Sequence, residues 1–403
     1  MKIEDFLDGK ASWPELEQLY QDEQLRQSLF PCVRQGIFLA HAGVAPLSGA
    51  AAAAIKRYVE RAASGFHQQD YDRETTLCRE IAAQLCGVHP DEVALLGPTS
   101  LGLSLVALGL DWKPGDEVVI HAQDYPANVY VWRQLANRGV VLRELVPTQP
   151  GHIDPSVLSK KLESGRVRLV ALASAHFLSG QVLDVEAVGR LCKQAGALFC
   201  LDGIQTLGAV QTPLHTVDFC AADSHKWLLG PLGAGIFIVK KERQELLRPA
   251  LVGAENVLTQ RFLPAEKITW VRGAARYEPG ALNLLGIVGM RASMQMLLAW
   301  GVHNIESRLS ALKRLAWMHL KEYGCQFLGQ MPQQQPGAIL TFRHESIPSS
   351  QLHAALVRRG FITSLRWTAD GTEWIRISPH VCNRFEDIEH FCACCGTLIH
   401  QHR

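Results

Sequence analysis

Neither sign of charge predominates in this chain. Lys and Arg number 40 against 39 Asp and Glu, for a formal net charge of +1. Without a basic field to attract a polyanion or an anionic membrane, a small-molecule partner is the expectation, with no nucleic acid and no membrane. Long apolar runs are also missing. No stretch approaches the ~20 residues of a membrane span, and the alanine-rich Ala50 to Ile55 is cut off by Lys56 and Arg57. Met1 to Lys10 is acidic and polar, with no apolar targeting core. Together with 11 cysteines in no disulfide-like framework, this sets the expectation of a reducing, cytoplasmic setting. Paired Cys-x-x-Cys knuckles are lacking, so Cys392, Cys394 and Cys395 with His390, His400 and His402 make a poor zinc site. Ile388, Phe391, Cys392, Cys395 and Leu398 fall on one helical stripe, and the cysteines read as small buried hydrophobes; no metal is expected. Nucleotide-binding glycine signatures are absent too. Gly230-Pro-Leu-Gly233-Ala-Gly235 has the wrong spacing and precedes a strand instead of opening a helix.

What is present is a chain of 403 residues, 47% hydrophobic, enough for a large buried core in more than one domain. Through its middle, short apolar segments alternate with amphipathic ones. Strands are predicted at Glu92–Leu96, Glu117–His121, Val167–Ala173, Ala197–Leu201, Val217–Ala221 and Gly235–Val239, with helices at Leu101–Leu110 and from Tyr130 to Asn137. Such alternation implies an α/β fold with a mostly parallel sheet covered on both faces. The pattern changes near residue 285, where long helices precede a smaller α+β unit. The expected division is a helical arm over 1–25, a large unit over 26–285 and a small C-terminal unit over 286–403.

In a parallel sheet, ligands bind beyond the carboxyl ends of the strands, which directs attention to the residues there. Asp202 directly follows one apolar strand, and Gln205 lies just beyond it. The next strand runs into Asp223-Ser224-His225-Lys226-Trp227-Leu-Leu-Gly230-Pro231. A lysine beside a buried strand is costly unless paired or reactive. Each residue alone also has an ordinary explanation, as a helix cap or as a snorkelling surface lysine. Their joint placement on neighbouring strands is what raises them. Gly97-Pro98-Thr99-Ser100 ends another strand and opens a helix, whose free N–H groups, dipole and hydroxyls suit an anion.

With these motifs in this order, the chain from Phe38-Leu-Ala-His-Ala-Gly-Val-Ala-Pro46 to Phe391 resembles the aminotransferase class V family. This is a fold-type-I family of pyridoxal-phosphate (PLP) enzymes that includes cysteine desulfurases, kynureninases and isopenicillin-epimerase-like proteins. The resemblance implies PLP held as a Schiff base on Lys226, with Asp202 keeping the pyridine nitrogen protonated and Gln205 facing the phenolic oxygen. It implies a phosphate site at Thr99, Ser100 and His225, with Asp223 and Ser224 beside it. Relatives carry serine at the position of Asp223, whose carboxylate would repel a phosphate, so Ser224 is the substitute considered. Gln123-Asp-Tyr125-Pro-Ala-Asn128 resembles a segment that places Tyr125 over the cofactor ring and Asn128 near its phenolic side. Arg376, in Arg376-Ile-Ser-Pro-His380, would clamp the α-carboxylate of an amino acid. Arg366 would lie at the mouth of the site, and His41, Ala42 and Gly43 would line it.

The implied activity is that of a PLP enzyme acting on an amino acid, first of all an aminotransferase. A lyase or epimerase, and a catalytically lapsed homologue with a binding or regulatory role, remain open; Asp223 and Ala281, where relatives carry serine and threonine, favour the last slightly. A homodimer is the family expectation. The interval Trp367 to Trp374 is short and lacks the loop cysteine on which persulfide chemistry depends, so true cysteine desulfurase activity is not expected.

Overall fold

A computed structural model describes residues 3–65, 68–147, 149, 151–259, 263–264, 266–329 and 335–402. Met1 and Lys2 of the expected arm lie outside them. Seven strands form the main sheet: β1 (Val93–Leu95), β2 (Glu117–His121), β3 (Val141–Leu145), β4 (Val167–Ala173), β5 (Leu198–Asp202), β6 (Phe219–Asp223) and β7 (Gly235–Val239). Their order is β1-β7-β6-β5-β4-β2-β3, parallel from β6 through β3, with β7 antiparallel to both its neighbours.

The physical reason lies in the side chains. Every residue of β2, β5, β6 and β7 is buried, as required of strands covered on two faces. Alternate residues feed two separate cores, with Val118 and Ile120 in one and Val119 in the other. Helix α1 (Gly49–Ser64) starts where Ser48 Oγ accepts the N–H of Ala51. Helices α2 (Gln68–Cys86) and α3 (Thr99–Gly109) follow. A Cβ on Gly102 would come within 2.8 Å of that of Ala221, so glycine lets α3 lie close on β6. This close approach brings the start of α3 to the carboxyl end of β6.

Helix α4 (Leu284–Trp300) is capped by Asn283 and is followed by α5 (Val302–Glu322). A second, antiparallel sheet contains β8 (Gln326–Leu328), β9 (Leu340–Arg343), β10 (Ser364–Trp367) and β11 (Glu373–Ile377), in the order β10-β11-β9-β8. Helix α6 (Phe385–His400) closes the chain and buries Ile388, Phe391, Cys392, Cys395 and Leu398, the expected stripe. Among the described residues no cluster of three or more metal-ligating side chains occurs, and no single helix is long and apolar enough to cross a membrane.

The sequence-based strands at β2, β4 and β7 match the structure end to end. Those at β5 and β6 are shifted toward the C-terminus, because ladder pairs Ala173–Asp202 and Asp223–Gly235 carry both acids into the sheet. Edge strand β3 escaped notice: its Arg143, Glu144 and exposed Val141 give no apolar run. The helix expected at Tyr130–Asn137 is Ala127–Arg133 followed by a 3-10 turn at Gln134–Arg138. The N-terminal region carries short helices at Ile3–Leu7 and Gln18–Gln21, and buries Phe6, Leu7, Leu16 and Leu19. The boundary expected near 285 falls at the start of α4, which packs on α1 and α2. We propose that the small unit begins only after α4.

Candidate active site

Where β5, β6 and α3 converge, a cavity of about 580 Å3 opens, bounded on its far side by β10 and β11. Ala42, Gly43, Thr99, Ser100 and Tyr125 line it, as do Gln205, His225, Lys226, Arg366 and Arg376. Ten residues singled out from the sequence therefore meet in one place, drawn from segments more than 300 positions apart.

Lys226 is 8% exposed. Burial pulls its ammonium down to about 8 against the partly opposing pull of Asp202, and Arg376 and Arg366 lower it further. Its Nζ lies 5.4 Å from the centre of the Tyr125 ring. Asp202, at the end of β5, is fully enclosed; burial raises its carboxyl, while the N–H of Ile204, 3.1 Å away, and Lys226 draw it back. Gln205 is fixed at both ends, donating from Nε2 to Ala42 O at 3.2 Å and accepting at Oε1 from Trp227 Nε1 at 2.8 Å. That pairing holds the Ala42–Gly43 segment against the loop after β5.

Thr99 and Ser100 open α3, whose first turn has no side-chain cap. Thr99 Oγ1 accepts the N–H of Asp223 at 2.9 Å, tying the helix start to the end of β6. His225 Nδ1 and Asp223 Oδ1 lie 3.0 Å apart, and neither atom has a well-aligned hydrogen bond.

Five expected site residues do not line the cavity, the enclosed Asp202 among them. Asp223 turns away from it, its Oδ2 accepting the N–H of Gly233 at 3.2 Å, and it backs His225 instead of facing the phosphate position. Ser224 is fully buried and donates to Pro231 O at 2.8 Å, so it does not take the place of the relatives' serine. Asn128 is spent on its own turn, donating to Asp124 Oδ2 at 2.9 Å and accepting from Trp132 at 3.0 Å. His41 lies beneath the cavity wall, with Nδ1 3.1 Å from Ser378 O and its ring against His380; burial drives its imidazolium form well below the ordinary range.

Two residues were missed. Phe177 lines the cavity, meets Tyr125 edge to ring at 5.5 Å between centres, and offers its carbonyl to Arg376 Nη1. It follows β4, where a search of strand ends should have found it. Asp124 is buried close to Asp202, and desolvation, then that neighbouring acid, raise its carboxyl to about 7. With His121 and His176 it borders a small cavity of about 10 Å3.

A buried amine and a helix start line one cavity, with a buried acid acting on the amine from behind, an arrangement that suits a phosphate-bearing aldehyde cofactor. Residues 37–391 match the family model for aminotransferase class-V, and the chain belongs to that family. The cofactor this membership carries is PLP. The residues fit it: the cavity has room, and the buried Nε and Nη2 of Arg376, which lines it, lack partners.

A probable cysteine desulfurase of Pyrococcus abyssi is 27% identical over 80% of this chain and 82% of its own length. The uncharacterized aminotransferase YcbU of Bacillus subtilis is 26% identical over 91% of this chain and 95% of its own. Among solved structures, the apo cysteine desulfurase of Thermococcus onnurineus NA1 superposes with a TM-score of 0.86 at 22% identity, covering 94% of this chain and 98% of that one. The cystine C-S lyase C-DES, solved with its product cysteine persulfide, superposes at 0.83 with 22% identity, over 91% of this chain and 99% of its own. These names do not support the expectation, drawn from Trp367 to Trp374, that the chain lacks true cysteine desulfurase activity.

Proposed function

We propose that the chain is a PLP-dependent enzyme that binds a free amino acid and moves the proton of its Cα, with transamination as the outcome. The observation that carries this reading is Lys226: a buried amine, shifted to about 8, in the cavity that the start of α3 also lines, with the enclosed Asp202 near enough to act on its charge. Near neutral pH such an amine is far more often uncharged than an exposed lysine, as both carbonyl capture and proton transfer require. Asp202 is the partner of the cofactor's ring nitrogen, and its burial makes that nitrogen's positive charge the natural counterion. Thr99, Ser100, His225 and the first N–H groups of α3 hold the phosphate. Tyr125 covers one ring face, Gln205 turns its remaining amide hydrogen toward the phenolic oxygen, and Arg376 takes the substrate α-carboxylate. When bound, PLP supplies an electron sink for the pair left at Cα.

The second reading is a C–S lyase. It is favoured by the names of the relatives, most of which are cysteine desulfurases. Among the described residues no cysteine lines the cavity, and the β10–β11 turn is closed by Thr368 and Thr372 backbone bonds, so sulfur would leave without passing through a thiol of the cavity wall. One experiment separates the readings. Protein incubated with PLP is given single amino acids while its absorption is followed. Conversion of the cofactor to its pyridoxamine form supports transamination; sulfide and pyruvate released from cysteine or cystine, without that conversion, establish the lyase. Colourless protein that takes up no PLP points to a lapsed homologue. The assembly that accompanies the enzyme reading is a homodimer, measurable by light scattering.

A further inference from the structure

Two guanidinium groups face the substrate end of the cavity, where one α-carboxylate needs only one. Arg366 and Arg376 stand on adjacent antiparallel strands, with register pairs Ser364–Arg376 and Arg366–Trp374. Side chains alternate along a strand, so this register puts both arginines on the same face as diagonal neighbours. Their tips converge: a Cβ on Gly43 would lie 3.7 Å from Nη2 of each.

Neither has an anionic partner. Among the described residues no carboxylate lies within ion-pair distance of either one. Arg376 is 1% exposed and gives Nη1 to Phe177 O, yet its Nε and Nη2 are buried without partners. Arg366 donates from Nη1 to Leu365 O, beside its own Cα. Burial, and after it the neighbouring Arg366, bring Arg376 down to about 9, with Tyr125 partly opposing. A buried charge without a counterion is strongly disfavoured, so the cavity as built awaits negative charge at this end. The cofactor's phosphate is accounted for elsewhere, at α3 and His225.

We infer that the substrate is a short amino acid bearing a second acidic group, its α-carboxylate on Arg376 and its side-chain acid on Arg366. This rests on the amino-acid reading above and names the class of amino acid. The small Ala42 and Gly43 leave room between the two charges, and the Tyr125 and Phe177 rings flank the intervening carbons.

The test is calorimetry on PLP-treated protein with succinate against butyrate, and with L-aspartate and L-glutamate against L-asparagine and L-glutamine. The diacids should bind about tenfold or more tightly than their monoacid or amide counterparts. Arg366→Gln should abolish most of that preference, Arg366→Lys should keep part of it, and Arg376→Gln should weaken all ligands together. Equal affinity of acid and amide, or a preference unchanged in Arg366→Gln, overturns the inference. The visible absorption of the same samples reports separately on PLP. Succinate carries no amine, so its comparison with butyrate decides the ionic claim even if PLP uptake fails.

Discussion

The two ends of the cavity are built on opposite plans. At the end proposed for the phosphate, polar groups are tied to one another before any ligand arrives: Thr99 to the Asp223 backbone, Asp223 to Gly233 and His225. At the end proposed for the substrate carboxylate, two cations stand side by side, and among the described residues no carboxylate lies within ion-pair distance of them. The first plan suits a group that stays; the second suits one that must come and go. Unpaired charge draws an anion in, and its departure costs no rearrangement of partners inside the protein.

Substitutions can break this contrast at several points. Lys226→Ala should abolish the visible band that PLP gives with the wild type and reduce turnover by about a thousandfold or more, measured by absorption and by product formation. Next comes Asp202→Ala, which should still take up some PLP but lose about a hundredfold or more in turnover, because the ring becomes a poorer electron sink; unchanged activity would remove Asp202 from its role. Arg376→Ala acts at the other end. It should raise the dissociation constant for amino acids by about thirty- to a hundredfold while leaving PLP affinity within a few-fold. Thr99→Val should do the reverse and more mildly, weakening PLP affinity by about five- to tenfold.

The smallest effect is the pH response. A lysine depressed to about 8 becomes the free amine as pH rises through that value, so capture of PLP should speed up from pH 6 to 8 and level off above. The same shift has a stability consequence of known sign. Between about 8 and the ordinary lysine value the unfolded chain binds more protons than the folded one, so the cofactor-free protein should gain stability as pH rises through that window. Lys226→Met should flatten this gain in denaturant titrations.

The phosphate end was the more legible in the sequence. Its groups are short-range consequences of strand ends and a helix start, and apolar runs bounded by Gly, Pro or Asp mark those places. Lys226, Asp202, Thr99 and Ser100 are singled out by these marks, and of them Lys226, Thr99 and Ser100 line the cavity. Side-chain direction was not legible: Asp223, Ser224 and Asn128 sit in the right segments but spend their polar atoms on local bonds to Gly233, Pro231 and Asp124. His41 is displaced from the cavity by its packing on Ser378 and His380. The buried neighbour of Asp202 was hidden for another reason. Asp124 approaches it from a different strand end, a contact that only the ordering of β2, β4 and β5 creates. The convergence of the two arginines likewise depends on a strand register that no local pattern reveals.

That register has one more consequence. The relative placement of Arg366 and Arg376 is dictated by the length of the turn between their strands, closed at Thr368 and Thr372. Because the pleat repeats every two residues, a single added residue in this turn would rotate one arginine to the opposite side of the sheet. Ligand preference could thus be rewritten by an insertion that leaves both arginine codons intact, and turn length becomes the first thing to compare when related chains are sorted by what they accept.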